Sequence, residues 1–232
     1  MFHVKHRGKF MKILIILLLL CSACTNINNE GYINLNKIIK IDEIEIDETK
    51  KVENNINEKI LDIKLKKQET SYYCSCACVQ MLLSLFDIEV TQDELAIQLN
   101  TNEITGTLDK NVAYVLNEYL FNGQPQYDNS YGYRVESLNE KTIENEQKFY
   151  DRIIQNIEDG YPTVLQFNMN SLYNDGRNVN HQGLIVGYKV ENNEIKTITY
   201  IDPYDDVAGY HTYDAPLIYK AMMDSVEPAY IY

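Results

Sequence analysis

The most informative segment of this chain, residues 67 to 83, reads Lys67-Gln68-Glu69-Thr70-Ser71-Tyr72-Tyr73-Cys74-Ser75-Cys76-Ala77-Cys78-Val79-Gln80-Met81-Leu82-Leu83. The apolar run after Cys74 predicts a buried helix that continues to about Phe86. A cysteine at the start of such a helix gains thiolate character, because the helix N-terminus carries partial positive charge and free N–H groups. Cys74 is therefore a candidate nucleophile.

Gln68 lies six residues before Cys74, so the chain can fold back between them. In that arrangement the Gln68 side-chain amide would donate to the oxygen of a substrate carbonyl. The backbone N–H of Cys74 would supply the second donor of this oxyanion hole. Gln68 and Cys74 together predict a site for acyl chemistry by a thiol.

The base that this thiol needs is one of four histidines. His3 and His6 precede a secretion signal and should be absent from the mature protein. His181 heads an apolar run that predicts a buried strand, and a polar turn and a second strand ending at Asp202 follow it. A hairpin of this length places His181 beside Asp202, whereas His211 lies in a predicted loop. We therefore expect His181 to be the base and Asp202 to orient it.

At these residues the chain resembles the papain-like cysteine peptidases, and most closely the bacteriocin-processing, double-glycine-leader peptidases and their free-standing relatives. The resemblance covers roughly residues 60–232. It rests on Gln68 before Tyr72-Tyr73-Cys74, on Ala77 and Val79-Gln80-Met81-Leu82, on Gly106-Thr107, on Gly160-Tyr161-Pro162, on His181 before Gly187-Tyr188, and on Asp202-Pro203.

The resemblance implies an α+β fold of the two-lobed papain-like type, with N-terminal helices and a C-terminal antiparallel sheet. It also implies a peptidase without a cofactor, in which Cys74 is the nucleophile, His181 the base, Asp202 the orienting residue and Gln68 the oxyanion-hole donor. The chain departs from the family at one place. The family usually has Gly-Pro directly after the nucleophile, and this chain has Ser75-Cys76.

Local patterns predict the other elements in the helices-first order of an α+β protein. A capping box at Thr91-Gln92-Asp93-Glu94 opens a helix that runs to Leu99. The remaining expectations are a strand at 60–65, a helix at 108–120, a strand at 133–135, a helix at 144–158, a strand at 163–167, a polar loop at 171–180, the hairpin, a helix at 215–223 and a strand at 229–232.

The N-terminus predicts export. From Met11, one lysine, a short apolar core and small residues precede Cys24. The apolar run is shorter than the about 20 residues that cross a bilayer, which favours a signal peptide over a membrane anchor. Ending at Ser22-Ala23-Cys24, it resembles a bacterial lipoprotein signal, in which the cysteine is lipidated and becomes the new N-terminus. Cys21 occupies the usual leucine position, so ordinary secretion stays an alternative.

These features divide the chain into a signal peptide at 1–23, a tether and extension at 24–58, and a catalytic domain at 59–232. We expect translation to start at Met11. A lipid on Cys24 would hold the catalytic domain at the cell membrane, facing outward. The expected partners are a peptide or protein substrate and, through the lipid, the membrane.

Charge and cysteine content exclude several classes. The chain has 21 Lys and Arg against 34 Asp and Glu, a net charge of -13. An acidic protein is a poor partner for nucleic acid and for anionic lipid, since both attract basic surfaces. Cys21 lies in the signal peptide and Cys24 is the predicted lipidation site, and the three other cysteines are too closely spaced for a disulfide framework.

Three other interpretations stay open. Cys74, Cys76 and Cys78 suggest a metal site, although Cys76 points away from the face that the other two share and structural zinc prefers two separated ligand pairs. The same catalytic residues would also suit another acyl transfer, such as amide hydrolysis on cell-wall peptides or transglutamination. A lipid-anchored binding protein that kept the fold and lost the chemistry is the third.

Overall fold

This computed structural model describes residues 55–128 and 130–232, which contain seven strands and six α-helices. In chain order they are β1 (Ile56–Ile60), α1 (Cys74–Ser84), α2 (Gln92–Gln98), α3 (Asp109–Phe121), β2 (Val135–Ser137), α4 (Ile143–Asp159), β3 (Thr163–Asn168), α5 (Met169–Tyr173), β4 (Asn180–Glu191), β5 (Glu194–Asp202), β6 (Gly209–Asp214), α6 (Ala215–Met223) and β7 (Ala229–Ile231). The predicted signal peptide, Cys24 and most of the predicted tether lie outside the described residues.

The predicted α+β class is confirmed, with helices first and an antiparallel sheet after them. The capping box is also present. Thr91 Oγ1 accepts a hydrogen bond from the Glu94 N–H at 3.2 Å, and the Glu94 carboxylate accepts one from the Thr91 N–H at 3.0 Å. These two bonds satisfy N–H groups that the first turn of α2 would otherwise leave free.

Every pairing in the sheet is antiparallel, with the order β2-β7-β3-β4-β5-β6 and with β1 paired to the far half of β4. Strands β4 and β5 form the predicted hairpin. Asn192 and Asn193 at its turn have φ angles of 53° and 65°. Two successive left-handed residues match the twist of paired strands, and asparagine adopts that conformation at low cost.

The central strands are apolar at successive positions because helices cover both faces of the sheet. Leu184 and Val186 of β4 pack into a core with α1, α2 and α3. Ile185, between them, packs into a second core with α4 and α6 on the other face. In the described residues, none of the helices combines the length and apolar character that a bilayer crossing requires.

Three local predictions were wrong. Strand β1 begins at Ile56 and ends at Ile60, so residues 61–65 are not a strand. Instead, the backbone of Ile63 hydrogen-bonds the hydroxyl of Tyr210. The predicted loop around His211 is strand β6, an edge strand whose hydrogen bonds come from β5. Short helix α5 enters the predicted polar loop, capped by the Asn168 side chain.

Candidate active site

Cys74 is the first residue of helix α1. The preceding residue, Tyr73, makes no side-chain capping bond, and the first turn of α1 contains no acidic residue. The free N–H groups and the partial positive charge of this end therefore act on the Cys74 side chain without a competing anion. The half-buried thiol lies in a cleft whose lining includes Thr105, Thr107, Gln166, Asn180, His181 and Gln182.

The hairpin brings His181 and Asp202 together. His181 lies next to the start of β4, and Asp202 is the last residue of β5. The His181 Nε2 atom is 2.8 Å from Asp202 Oδ1, and the two side chains are 5% and 0% exposed. Both are thus buried, and burial of this carboxylate is tolerable because donors surround it.

The His181 ring also contacts the Cys74 thiol. Burial alone would raise the pKa of Cys74, but the hydrogen bond and charge attraction of His181 outweigh burial and leave that pKa below its ordinary value. For His181, burial lowers the pKa, while hydrogen bonds to Asp202 and Cys74 raise it to about 9. These opposite shifts favour a thiolate–imidazolium pair at neutral pH.

Asp202 has further donors that sequence patterns did not indicate. Its Oδ1 atom accepts the backbone N–H of Tyr204 at 2.7 Å, and its Oδ2 atom accepts the hydroxyl of Tyr173 at 2.5 Å. Tyr173 is one of nineteen tyrosines in the chain, and nothing in its local sequence distinguishes it from the others. Only the return of the chain from α5 toward His181 brings it to the carboxylate.

Gln68 is fixed beside the end of β5, because its backbone N–H donates to Pro203 O at 2.9 Å. Its Nε2 atom donates to Thr70 O at 2.7 Å within its own turn. The amide has a second N–H, and an oxyanion role would have to use that one. In the structure His181 contacts both Cys74 and Asp202, while the oxyanion role of Gln68 stays a prediction.

A buried glutamine on α2 holds the segment that carries Gln68. Gln92 is 1% exposed, and its Nε2 atom donates to Lys67 O at 2.8 Å. Its Oε1 atom accepts the Glu69 N–H at 3.0 Å. One side chain therefore binds the backbone on both sides of Gln68, a contact that the capping box of α2 did not predict.

Ser75 and Cys76, the two residues that depart from the family pattern, are both buried. Ser75 is 2% exposed and hydrogen-bonds the Cys74 sulfur, which helps to lower the Cys74 pKa. The Cys76 sulfur lies 3.5 Å from Thr101 Oγ1, and that of Cys78 lies 3.5 Å from the carbonyl of residue 182. Among the described residues, no three His, Cys, Asp or Glu side chains are arranged to hold a metal ion.

His211 occupies a different environment from His181. Its Nε2 atom lies 2.6 Å from Val207 O, and its ring stacks on Tyr200 with 5.5 Å between the ring centroids. The ring also lies edge-on to Tyr173, at 5.8 Å. Its contacts are with aromatic rings and with the backbone carbonyl of Val207, whereas His181 contacts the thiol.

Cys74 should be alkylated faster than Cys76 or Cys78 at neutral pH, by at least about tenfold, because only a thiolate reacts. Burial raises the pKa of Cys76 to about 11 and that of Cys78 well above its ordinary value. Brief exposure to iodoacetamide followed by mass spectrometry of the peptides measures this. Cys74→Ser should lose the fast label, and fast labelling of either other thiol would overturn the assignment.

A sequence profile described as the Peptidase_C39 like family matches residues 60–229. The match begins at the last residue of β1, ends at the first residue of β7, and includes Gln68, Cys74, His181 and Asp202. No curated protein matches the chain.

Three solved structures are similar to the chain at low identity. The peptidase domain of Streptococcus ComA, a bi-functional ABC transporter involved in a quorum sensing pathway, is 13% identical, with 73% of this chain and 96% of that chain covered and a TM-score of 0.46. A double glycine motif protease from an AMS/PCAT transporter, in complex with the leader peptide, is 13% identical, with coverages of 75% and 91% and a TM-score of 0.46. A C39-like protein from Bacillus anthracis is 15% identical, with coverages of 76% and 98% and a TM-score of 0.49.

Proposed function

The chain belongs to the C39-like peptidase family, and from this premise we propose that it is an active cysteine peptidase that cleaves peptide bonds through Cys74, His181 and Asp202. The observation that carries the proposal is the geometry: Cys74 begins helix α1, the His181 ring contacts its thiol, and His181 Nε2 lies 2.8 Å from Asp202 Oδ1. These contacts lower the pKa of Cys74 although burial raises it. A thiol that served only for packing would keep a raised pKa, as Cys76 and Cys78 do.

The first half of the reaction would form an acyl-enzyme. The Cys74 thiolate attacks the substrate carbonyl carbon, and the carbonyl oxygen becomes an oxyanion. The free N–H groups at the start of α1 and the Gln68 amide stabilise that charge. His181 then donates its proton to the leaving amine, the C–N bond breaks, and a thioester to Cys74 remains.

The second half would return the enzyme to its starting state. Neutral His181 removes a proton from a water molecule, and the resulting hydroxide attacks the thioester carbonyl. The carbon–sulfur bond breaks, which releases the acid and the thiolate. Asp202 accepts a hydrogen bond from the His181 Nε2–H, so the other ring nitrogen, Nδ1, is the one that exchanges protons.

Turnover of a fluorogenic peptide library by the purified full chain tests this function. We expect cleavage by the wild type and none by Cys74→Ala, with cleavage sites read by mass spectrometry. A library without turnover, together with a Cys74 that reacts rapidly with iodoacetamide, would point to another acyl transfer. Slow alkylation together with no turnover would favour a binding protein.

The proposal includes a location: the outer face of the cell membrane, with a lipid on Cys24. It is supported by the short apolar run from Met11, which ends at Ser22-Ala23-Cys24. Export is compatible with the acidic composition, because a lipid would hold the protein at the membrane without basic residues.

Expressed from Met11 in a bacterium, the protein should partition into detergent and carry a diacylglyceryl thioether on Cys24. Cys24→Ala should block processing or release the protein into the soluble fraction. Mass spectrometry of the mature N-terminus is the measurement. A soluble wild-type protein whose N-terminus lies at another residue would show ordinary secretion instead.

A further inference from the structure

We propose that Tyr173 and Tyr200 form a hydrogen-bonded pair that positions Asp202, and through it His181, for the chemistry of Cys74. The inference rests on the proposed function for its purpose, but its geometry is independent of the substrate. The hydroxyl of Tyr173 lies 2.5 Å from Asp202 Oδ2 and 2.5 Å from the hydroxyl of Tyr200. Both tyrosines act through Asp202, and neither is among the residues that line the cleft at Cys74.

The direction of the hydrogen bonds follows from what each group can donate. An ionised carboxylate only accepts, and a phenol has one proton. Tyr173 therefore donates to Asp202, and Tyr200 donates to the Tyr173 oxygen. Burial and the nearby Asp202 charge raise the pKa of Tyr173, and burial raises that of Tyr200, so both phenols keep their protons across the working pH range.

The backbone fixes both hydroxyls relative to Asp202. Tyr200 and Asp202 are two residues apart on β5, so their side chains leave the same face of the sheet. Gly183 on β4 leaves room for the Tyr200 ring, because a Cβ atom at that residue would lie 2.8 Å from the Tyr200 Cδ2 atom. The same strand therefore places both the Tyr200 ring and the Asp202 carboxylate.

Tyr173 is held by the connection that leads directly to His181. It is the last residue of α5, and two backbone bonds join the start of α5 to the segment that follows it, from Met169 N to Val179 O at 3.1 Å and from Asn170 N to Arg177 O at 3.0 Å. Phe167 packs edge-on against both the Tyr173 ring, at 6.4 Å, and the His181 ring, at 5.4 Å. The tyrosine and the histidine therefore share a neighbour as well as a carboxylate.

Together these contacts leave Asp202 little freedom. Its Oδ1 atom accepts from His181 and from the Tyr204 N–H, and its Oδ2 atom accepts from Tyr173. Without the Tyr173 hydroxyl, the buried Oδ2 atom would lose its donor, and the carboxylate would rotate toward other hydrogen-bond donors. The imidazole would then lose its fixed orientation toward the thiol, and the hydrogen bond that lowers the Cys74 pKa would weaken.

The test uses iodoacetamide as the probe, with the full chain and the rate of Cys74 alkylation measured from pH 4 to 10 by mass spectrometry. Tyr173→Phe should move the rise in rate to higher pH, and at acidic pH the rate should fall on the order of tenfold, the value of one hydrogen bond to a charged group. Tyr200→Phe should shift the curve in the same direction by less, because it removes a donor one step further away.

Tyr213→Phe is the matched control. Its ring stacks 6.2 Å from that of Tyr200, but its hydroxyl lies outside the chain of bonds that ends at Asp202. A purely structural role for Tyr173 would lower thermal stability and leave the pH curve in place. The inference is overturned if Tyr173→Phe gives the wild-type curve, or if Tyr213→Phe shifts it equally. If Tyr173→Phe does not fold, an unshifted Tyr200→Phe curve overturns it.

Peptidase turnover, measured on the same variants, separates the two proposals. A wild type that cleaves no peptide while its alkylation curve shifts in Tyr173→Phe would remove the peptidase assignment and keep the positioning role. A wild type that cleaves peptides while the Tyr173→Phe alkylation curve is unchanged would keep the peptidase assignment and remove the positioning role.

Discussion

Replacing His181 with alanine should lower kcat/KM by at least about a hundredfold, the usual contribution of a positioned base. Two effects combine in this variant. The proton acceptor for catalysis is lost, and so is the main contact that lowers the pKa of Cys74. Burial would then dominate, and most of the thiol would be protonated at neutral pH.

His211→Ala is the matched control for this variant, because it removes the other histidine of the described residues. Its Nε2 atom contacts Val207 O, and its ring packs against Tyr173, Tyr200 and Tyr213. The hydroxyl bonds from Tyr200 to Tyr173 and from Tyr173 to Asp202 involve no atom of His211. We expect a change in kcat/KM of less than about threefold, with some loss of stability, as for an ordinary packing substitution. An inactive His211→Ala together with an active His181→Ala would show that the wrong base has been assigned.

The pH dependence of turnover should be bell-shaped, and Asp202 should set its alkaline side. The acidic limb reports formation of the Cys74 thiolate, whose pKa is lowered, so it should lie at lower pH than for an ordinary thiol. The alkaline limb reports loss of the His181 proton, whose pKa is raised to about 9. Activity therefore rises as Cys74 ionises and falls as pH passes through the His181 pKa.

Asp202→Asn should move the alkaline limb to lower pH, because it removes a charge that raises the His181 pKa. The amide oxygen still accepts the His181 Nε2–H, as the asparagine of papain-like Cys-His-Asn sites does, so the loss of kcat should be modest, about tenfold or less. Asp202→Ala removes the acceptor as well and should cost about a hundredfold. Initial rates from pH 4 to 11 measure both, and an unmoved alkaline limb in Asp202→Asn would contradict the assigned role of the carboxylate.

Local sequence was sufficient wherever a residue's role depends on its neighbours in the chain. Thr91 and Glu94 are three residues apart, which is all that a capping box needs, and the structure contains both of its bonds. Local sequence was also sufficient to predict the hairpin of β4 and β5. A short polar turn between two apolar runs sets the strand register, so the proximity of His181 and Asp202 followed from the spacing of residues 181–202.

Local patterns gave wrong predictions for elements whose hydrogen-bond partners are distant in the sequence. Strand β6 has a polar, tyrosine-rich sequence, and its hydrogen bonds come from β5 across the intervening loop. Residues 61–65 have the alternation of a strand, but Ile63 is bonded by the hydroxyl of Tyr210, 147 residues away. A hydrogen bond to a residue far away in the chain produces no periodic pattern in the local sequence, so these elements could not be predicted from local patterns.

The sequence by itself determined the residues able to act: a thiol before an apolar helix, one histidine and one carboxylate on a hairpin, and a glutamine upstream of the thiol. Tertiary structure decided how they are held. Folding buried Asp202 and gave its carboxylate the Tyr173 hydroxyl as a donor. It also brought Gln92 to the backbone on both sides of Gln68, and His181 to Cys74, whose pKa it lowers. The physical reason is that hydrogen bonds and burial act over a few ångströms in space, and folding alone decides which distant residues come within that distance.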